Sequence, residues 1–285
     1  MNISPPFPVG TAPSASEVAD WCECVALLQG RDLKRGDLKS VISREDIGNP
    51  DLLEQQAWQE LRDRQILYGD GWPLSITETR LVPKEDADDD AVTLHTYLCL
   101  LALGEIDPED RALFEELVRH LFSLRLGGSV VRVGHPAREG MPKSFRKRIK
   151  DYAKASSLTN LEVFNEPLPK DKDLGMDVVA WLPSVDNRGG YLHFLVQCAT
   201  GKNWDEKLSD INLDVIASHV KWAVHPVRVF CVPSVISVPQ PQWIRYSQRA
   251  GWIMDRPRLL NLSAGFKLSD ELRSEVSARL IDLCA

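Results

Sequence analysis

Gly175-Met176-Asp177-Val178-Val179-Ala180-Trp181 and, a short way on, Tyr191-Leu192-His193-Phe194-Leu195-Val196-Gln197-Cys198-Ala199-Thr200-Gly201-Lys202 are the two stretches on which the fold of this chain turns. Both are rich in β-branched and aromatic residues, which favour a pleated, half-buried surface, and both read as strands. Between them Asp186-Asn187-Arg188-Gly189-Gly190 gathers turn formers. A hairpin follows, and it sets Asp177 beside Gln197 and Lys202. Each strand then carries a polar group where its core should be apolar.

A carboxylate, an amide oxygen and a lysine converging at a sheet edge suit a divalent metal held beside a phosphodiester. Hard cations such as Mg²⁺ take oxygen ligands. They lower the pKa of bound water and neutralise charge on the phosphate. A lysine steadies the attacking hydroxide or the pentavalent phosphate. Asp177 is the first candidate ligand, a lone acid opening an apolar strand, where buried charge calls for a partner. Strand-end capping and an ordinary hydrogen-bonded core amide are the plainer readings of Asp177 and Gln197.

The arrangement resembles the PD-(D/E)xK superfamily of restriction-endonuclease-like nucleases, and its Mrr-like branch in particular. That family places an Asp on the first strand and, on the second, an Asp, Glu or Gln, then one residue, then a Lys. Asp177 matches the first acid and Gln197 the second, but the lysine position holds Ala199. The resemblance covers roughly residues 107–260 and implies Mg²⁺ (or Mn²⁺) at Asp177 and Gln197. Lys202 or Lys207 would supply the ammonium from a displaced position. Many members add a Glu from a helix ahead of the first catalytic strand. Glu115, in Phe114-Glu115-Glu116-Leu117, is the candidate third ligand, although Arg111 and Arg119 stand at helical spacing for simple surface pairs.

The 285 residues allow one large domain or two modest ones. No apolar run approaches the ~20 residues of a membrane span. The N-terminus lacks a basic region followed by an apolar core, so no secretory signal is expected. Cys22, Cys24, Cys99, Cys198, Cys231 and Cys284 mostly sit in apolar runs and form no disulfide framework, which fits a reduced cytoplasm. Net charge is −7, yet residues 84–116 alone hold eleven acids and two bases. Everything else is slightly basic, and Lys143, Arg146, Lys147, Arg148, Lys150 and Lys154 crowd one segment, with Arg132 and Arg138 upstream. Local field decides whether phosphate can approach. Lys143, Arg146, Lys147 and Lys150 are therefore candidate nucleic-acid contacts that would position a backbone without reading bases. A solvated helix face is the plainer alternative.

Along the chain, residues 1–14 read as a loose lead-in. Helices are expected from Ala15 onward with Ser16 as a cap, over Asp51–Gln65, over Val92–Leu103, and over Pro108–Leu126 with Asp107 as cap. Leu74–Leu81 alternates like an edge strand, and Glu85–Asp90 reads as a solvated loop. Further on come a strand at Ser129–Val133, a basic amphipathic helix from Ser144 to about Ala155, and a polar linker at Pro167–Asp173. After the hairpin come a helix over Asp205–Val224, a strand at Val227–Val232, a short helix at Trp243–Gly251, a strand at Arg258–Leu262 and a closing helix at Ser269–Leu283. The expected fold is α/β, with a mainly helical domain over 1–105. Over 106–285 the resemblance implies a restriction-endonuclease-like core, a mixed central sheet flanked by helices.

Other chemistries lack their signatures. Cys22-x-Cys24 has no second Cys or His pair at zinc spacing. There is no Gly-x-Ser-x-Gly, Walker loop or dinucleotide fingerprint. The expectation is a cytoplasmic Mg²⁺-dependent nuclease acting on DNA, set by resemblance in bacterial restriction or antiphage defence. The alternative is a nuclease-fold protein that has lost catalysis and serves as a nucleic-acid-binding or regulatory subunit, as Ala199 suggests. A second copy of the chain, and a partner protein on the N-terminal domain, are the other expected contacts.

Overall fold

The structure, a computed structural model, describes residues 13–44, 49–104, 106–127, 129–135, 137, 140–156, 173–186, 188–265 and 267–283. Arg138, Cys284, most of the N-terminal lead-in and nearly all of the Pro167–Asp173 linker lie outside them. The chain divides into two compact units, one of residues 1–106, 233–237 and 255–285, the other of residues 107–232 and 238–254. The sequence reading places one boundary, between residues 105 and 106, with everything after it in the second domain. The C-terminal segment differs, because residues 255–285 fold with the first unit rather than the second.

The first unit is built on helices α1 (Ala15–Gln29), α3 (Pro50–Tyr68) and α4 (Asp89–Leu103), joined by the C-terminal α9 (Arg256–Ser263) and α10 (Asp270–Leu283). A short α2 (Arg35–Ile42) and a three-stranded antiparallel sheet complete it. That sheet runs β1 (Leu33–Lys34), β3 (Arg80–Pro83), β2 (Leu74–Ile76). Helix α1 starts at a capping box in which Ser14 and Glu17 bond each other's backbone N–H, two residues ahead of the expected cap at Ser16. The expected strand Leu74–Leu81 is a hairpin instead, since the Thr77 hydroxyl accepts from the Thr79 and Arg80 N–H groups and turns the chain. The acidic run is put to use: Asp88 caps α4, and buried Asp90 pairs with Arg273 of α10.

The second unit holds a five-stranded mixed sheet in the order β4 (Val130–Arg132), β5 (Val178–Leu182), β6 (Leu192–Cys198), β7 (Val227–Cys231), β8 (Trp252–Met254). The β4–β5 and β5–β6 pairs are antiparallel, while β6–β7 and β7–β8 are parallel. Helix α5 (Pro108–Leu126) packs across β4, β5 and β6. Val179, Trp181 and Leu195 point the other way, into a core with Phe145, Ile149 and Tyr152 of α6 (Phe145–Ala155) and with Ile211, Ile216 and Val220. Strand alternation therefore gives two covered faces, as near-continuous apolar strands require.

Two predicted elements differ. The helix expected over Asp205–Val224 is a 3₁₀ turn at Trp204–Lys207 followed by the short α7 (Leu213–Ala217), because Asn212 caps a new helix through the Asp214 and Val215 N–H groups. Leu208, Ile211, Ile216 and Val220 are buried all the same, while Val215 and Val224 are exposed. The strand expected at Arg258–Leu262 is helix α9, with Pro257 in its first turn. The last strand is β8, ahead of it, reached through α8 (Gln240–Ala250). Among the described residues, no helix is long and apolar enough to cross a membrane.

Candidate metal centre

The hairpin brings Asp177 and Gln197 together. Val178 pairs with Val196, and the Asp177 N–H bonds the Val196 carbonyl at 2.9 Å, so Asp177 stands opposite Gln197 where β5 begins and β6 ends. Opposed residues of an antiparallel pair share a face. The Asp177 Oδ2 accepts the Cys198 N–H at 2.7 Å. Gln197 is buried and donates its amide N–H to Asp210 Oδ2 at 2.9 Å, which fixes the amide and presents Oε1 as an acceptor.

Glu115 arrives from α5, and a bulge makes room for it. The Val133 and Gly134 N–H groups both bond the Asp177 carbonyl, at 2.8 and 2.9 Å, so two residues of one strand oppose one of the other. A Cβ on Gly134 would lie 2.8 Å from Glu115 Oε2 and 2.9 Å from Asp177 Oδ1. The two carboxylates thus meet over a position only glycine can occupy. Buried Arg132, one residue before the bulge, donates from Nε to Glu115 Oε2 at 2.5 Å.

The approach to Asp177 is tight as well. Leu174, at φ 57°, and Gly175, at φ 77°, both take the left-handed conformation, and a side chain at Gly175 would press on the Asp210 backbone at 3.1 Å. Left-handed backbone at a non-glycine residue is strain of the kind that concentrates at functional sites. Asp173 braces the turn, accepting the Gly175 and His135 N–H groups at 3.1 and 2.9 Å. Burial raises the Asp177 carboxyl well above the usual carboxylate range, and the neighbouring Glu115 and Asp173 charges push it further. Like charges crowded in this way are relieved by a cation.

The donor types suit a hard divalent cation: carboxylate oxygens from Asp177 and Glu115, which approach each other over Gly134, and the amide oxygen of Gln197. Lys202 lies exposed in the turn after β6, Lys207 is exposed at the end of the 3₁₀ turn, and Ala199 is fully buried, with its N–H on the Cys231 carbonyl. The basic helix is split by role. Lys143, Lys147, Lys150 and Lys154 are exposed and Arg146 is half-buried. Arg148 is buried and donates to the Val133, Pro142 and Lys143 carbonyls at 2.8 to 2.9 Å, tying α6 to the segment that carries the bulge.

Gly134, Asp173 and Asp210 have no assigned part in the sequence reading, and Arg132 enters it only as a base upstream of the basic segment. The available signal was a charged residue inside the short apolar strand Val130–Val133, followed by a glycine. A second cluster was not anticipated at all. Glu23, His95 and Cys99 place ligand atoms within 4.8 Å of one another in the first unit. Arg256 already occupies that focus, with Nη1 3.0 Å from Glu23 Oε2 and 3.1 Å from Cys99 Sγ, while Arg64 lies 3.3 Å from Glu23 Oε1. Asp20 contacts both guanidiniums, so two buried acids face two buried arginines. The cluster is a charge-balanced clamp on α1, α3, α4 and α9.

No protein-family model, curated protein or solved structure matches this chain.

Proposed function

We propose that the second unit is a restriction-endonuclease-like domain that hydrolyses phosphodiester bonds, in DNA, with Mg²⁺ or Mn²⁺ held by Asp177, Gln197 and Glu115. The observation that carries this reading is the meeting of the Glu115 and Asp177 carboxylates over Gly134, beside the Gln197 amide. The strand order supports it: an antiparallel meander followed by a parallel strand leaves the start of β5 and the end of β6 at one edge. When bound, the metal supplies a water of lowered pKa and draws charge from the phosphate. The chain's own groups fix the donors: the Cys198 N–H orients Asp177, Asp210 orients Gln197 and Arg132 orients Glu115. The exposed lysines of α6, anchored beside the bulge by Arg148, would run along the nucleic-acid backbone. Restriction or antiphage defence is the setting to which the resemblance points.

The second reading, a nuclease fold without catalysis that serves as a binding subunit, draws on Ala199 and on the exposure of Lys202 and Lys207. One experiment separates the two. Purified protein and the Asp177→Ala variant are incubated with supercoiled DNA, linear DNA and RNA, with Mg²⁺ or Mn²⁺. Metal-dependent cleavage that disappears in the variant is expected. Nucleic-acid binding without cleavage, unchanged by the substitution, would move the assignment to the binding subunit.

A further inference from the structure

Helix α8 has no part in the metal centre, yet it lies on the same face of the sheet as Gln197. Phe230 on β7 is in register with Gln197, and Arg228 with Leu195. The Trp204 ring packs on Phe230 with centroids 6.4 Å apart, and Tyr246 of α8 meets Trp204 edge-on at 5.6 Å. Arg228 reaches the same helix, donating to the Gln248 and Arg249 carbonyls at 3.2 and 2.6 Å. Helix α6 packs on Val179, Trp181 and Leu195 of this face. Helix α8 contacts β7 and β8. By strand alternation Leu195 and Gln197 point the same way, so the two helices flank the strand that ends in the candidate site.

Two features of α8 call for a ligand. The first is charge. From Val215 to Met254 the chain has no Asp or Glu, although acids outnumber bases 41 to 34 overall. The exposed Arg245 and Arg249 therefore meet no acid on their own helix or on β7 and β8 beneath it. The neighbouring segment 202–210 carries Asp205, Glu206 and Asp210, with Lys202, Lys207 and the adjacent Arg228 against them, so the excess stays on α8. The second feature is the aromatic stripe. Trp243, Tyr246 and Ala250 recur at helical spacing, yet only Ala250 of the eleven residues is buried. Trp243 and Tyr246 stay half-buried, and Ile244 beside them is 48% exposed. An amphipathic helix ordinarily closes such a stripe against its core.

Resting on the nuclease reading above, we propose that α8 is the second wall of the substrate cleft and holds a single strand of nucleic acid, phosphates on Arg245 and Arg249 and unpaired bases on Trp243 and Tyr246. A positive surface interleaved with aromatic rings is what an unpaired strand requires, because every base offers a π face once it is out of the duplex. Helix α6 differs in this respect. Its Phe145 and Tyr152 are buried in the core, so it presents charge alone, which serves paired and unpaired strands alike. The substrate is thereby narrowed to a strand that is unpaired where it crosses α8.

Fluorescence anisotropy of the full chain with labelled oligothymidylate, oligouridylate and a DNA duplex of equal length, all in EDTA, tests this apart from catalysis. One or both single strands are expected to bind at least 10-fold tighter than the duplex. Tyr246→Leu should weaken single-strand binding by about 5- to 100-fold, the range of one base–aromatic stack, and leave duplex binding unchanged. Tyr246→Phe, which keeps the ring, should stay close to wild type. Arg245→Gln should lower the log–log salt slope of single-strand binding by roughly 0.7, as one lost phosphate contact does. Lys147→Gln on α6 should weaken strand and duplex equally. Equal wild-type affinity for strand and duplex, or Tyr246→Leu binding the single strands like wild type, would overturn the proposal and leave α8 to a protein partner. Should Tyr246→Leu not fold, the wild-type preference and Arg245→Gln, a change at an exposed side chain, still decide it. A wild type that binds none of the three refutes the substrate reading with it, whereas strand binding as expected without cleavage in Mg²⁺ or Mn²⁺ refutes the nuclease reading alone.

Discussion

Substituting Gly134 by alanine strikes the one point where both carboxylates meet. The added methyl would sit 2.8 Å from Glu115 Oε2, 2.9 Å from Asp177 Oδ1 and 3.0 Å from the Asp177 Cα. The two oxygens end flexible side chains and can swing aside, whereas the Cα is backbone and must give by a few tenths of an ångström. Overpacking costs roughly 1–3 kcal/mol, and with two of the three contacts able to rotate away the lower half of that range is expected. The melting temperature should therefore fall by about 3–6 °C, at roughly 2–4 °C per kcal/mol for a unit of this size. The larger effect is on the metal. A ligand at 100 times its Kd stabilises the folded state by about 2.7 kcal/mol, and displaced carboxylates forfeit that gain. Thermal melts with and without saturating Mn²⁺ read both terms in one experiment. Gly36→Ala in α2, where a Cβ meets nothing within 4 Å, is the control and should keep the full Mn²⁺ response. A Gly134→Ala protein that melts higher in Mn²⁺ by as much as wild type would show that the two carboxylates do not form a shared metal site.

Asp177→Asn removes a negative charge from beside Glu115 and Asp173. Two like unit charges in close contact, at about 4 Å, repel by roughly 4 kcal/mol at an effective dielectric near 20, and Arg132 offsets part of any such repulsion here. Because the Asp177 pKa is raised in the fold, its ionised form costs stability as pH rises through that pKa. The metal-free variant should accordingly be about 1–2 kcal/mol more stable than wild type at pH 8, by urea denaturation, with no gain below pH 4. Arg256→Ala leaves Glu23 buried against one guanidinium instead of two, and should cost about 3–5 kcal/mol in the same assay. Partial recovery on adding Glu23→Gln would locate the loss in the unpaired charge. Burial pushes His193, whose Nδ1 contacts the Tyr152 hydroxyl, down to about 4. The unfolded chain takes up that proton first, so stability should decline as pH falls from about 6.5 to 4, by up to roughly 3 kcal/mol. His193→Gln should flatten that slope, and an equally steep decline in the variant would assign it to other groups.

Much of the second unit was legible because its strands satisfy two demands at once. Val178–Leu182 and Leu192–Cys198 alternate between two buried faces, and turn formers separate them, so pairing and register follow. Helix α5 was legible from its ends, with Asp107 and Asp110 forming a capping box and Gly127 in the left-handed conformation closing it. Periodicity failed where burial did not need a helix. Leu208, Ile211 and Ile216 are buried from a turn, a loop and a single helical turn, and spacing alone cannot tell these from one continuous helix. Leu259, Leu260 and Leu262 form an apolar run too short to separate strand from helix, and Pro257 was the overlooked cue. The return of α9 to α1 rests on Arg256 meeting Glu23 across 233 residues, which no local pattern encodes.

The candidate site shows the same division. Asp177 and Gln197 stood out in the sequence because each is a polar residue at a definite place in an apolar pattern, and Glu115 came from the resemblance alone. Arg132 and Gly134 escaped because their meaning depends on a neighbour: the arginine on a carboxylate of another helix, the glycine on two oxygens from different elements. Ala199 follows from the same geometry. Its Cβ is fully buried and its N–H belongs to the Cys231 carbonyl, so a longer residue there would need the β6–β7 edge to open. Strand β4 offers the shorter route, since Arg132 already faces α5 beside Val178 and reaches Glu115 without leaving the sheet. Restoring a lysine by Ala199→Lys should therefore hurt stability before it helps any chemistry.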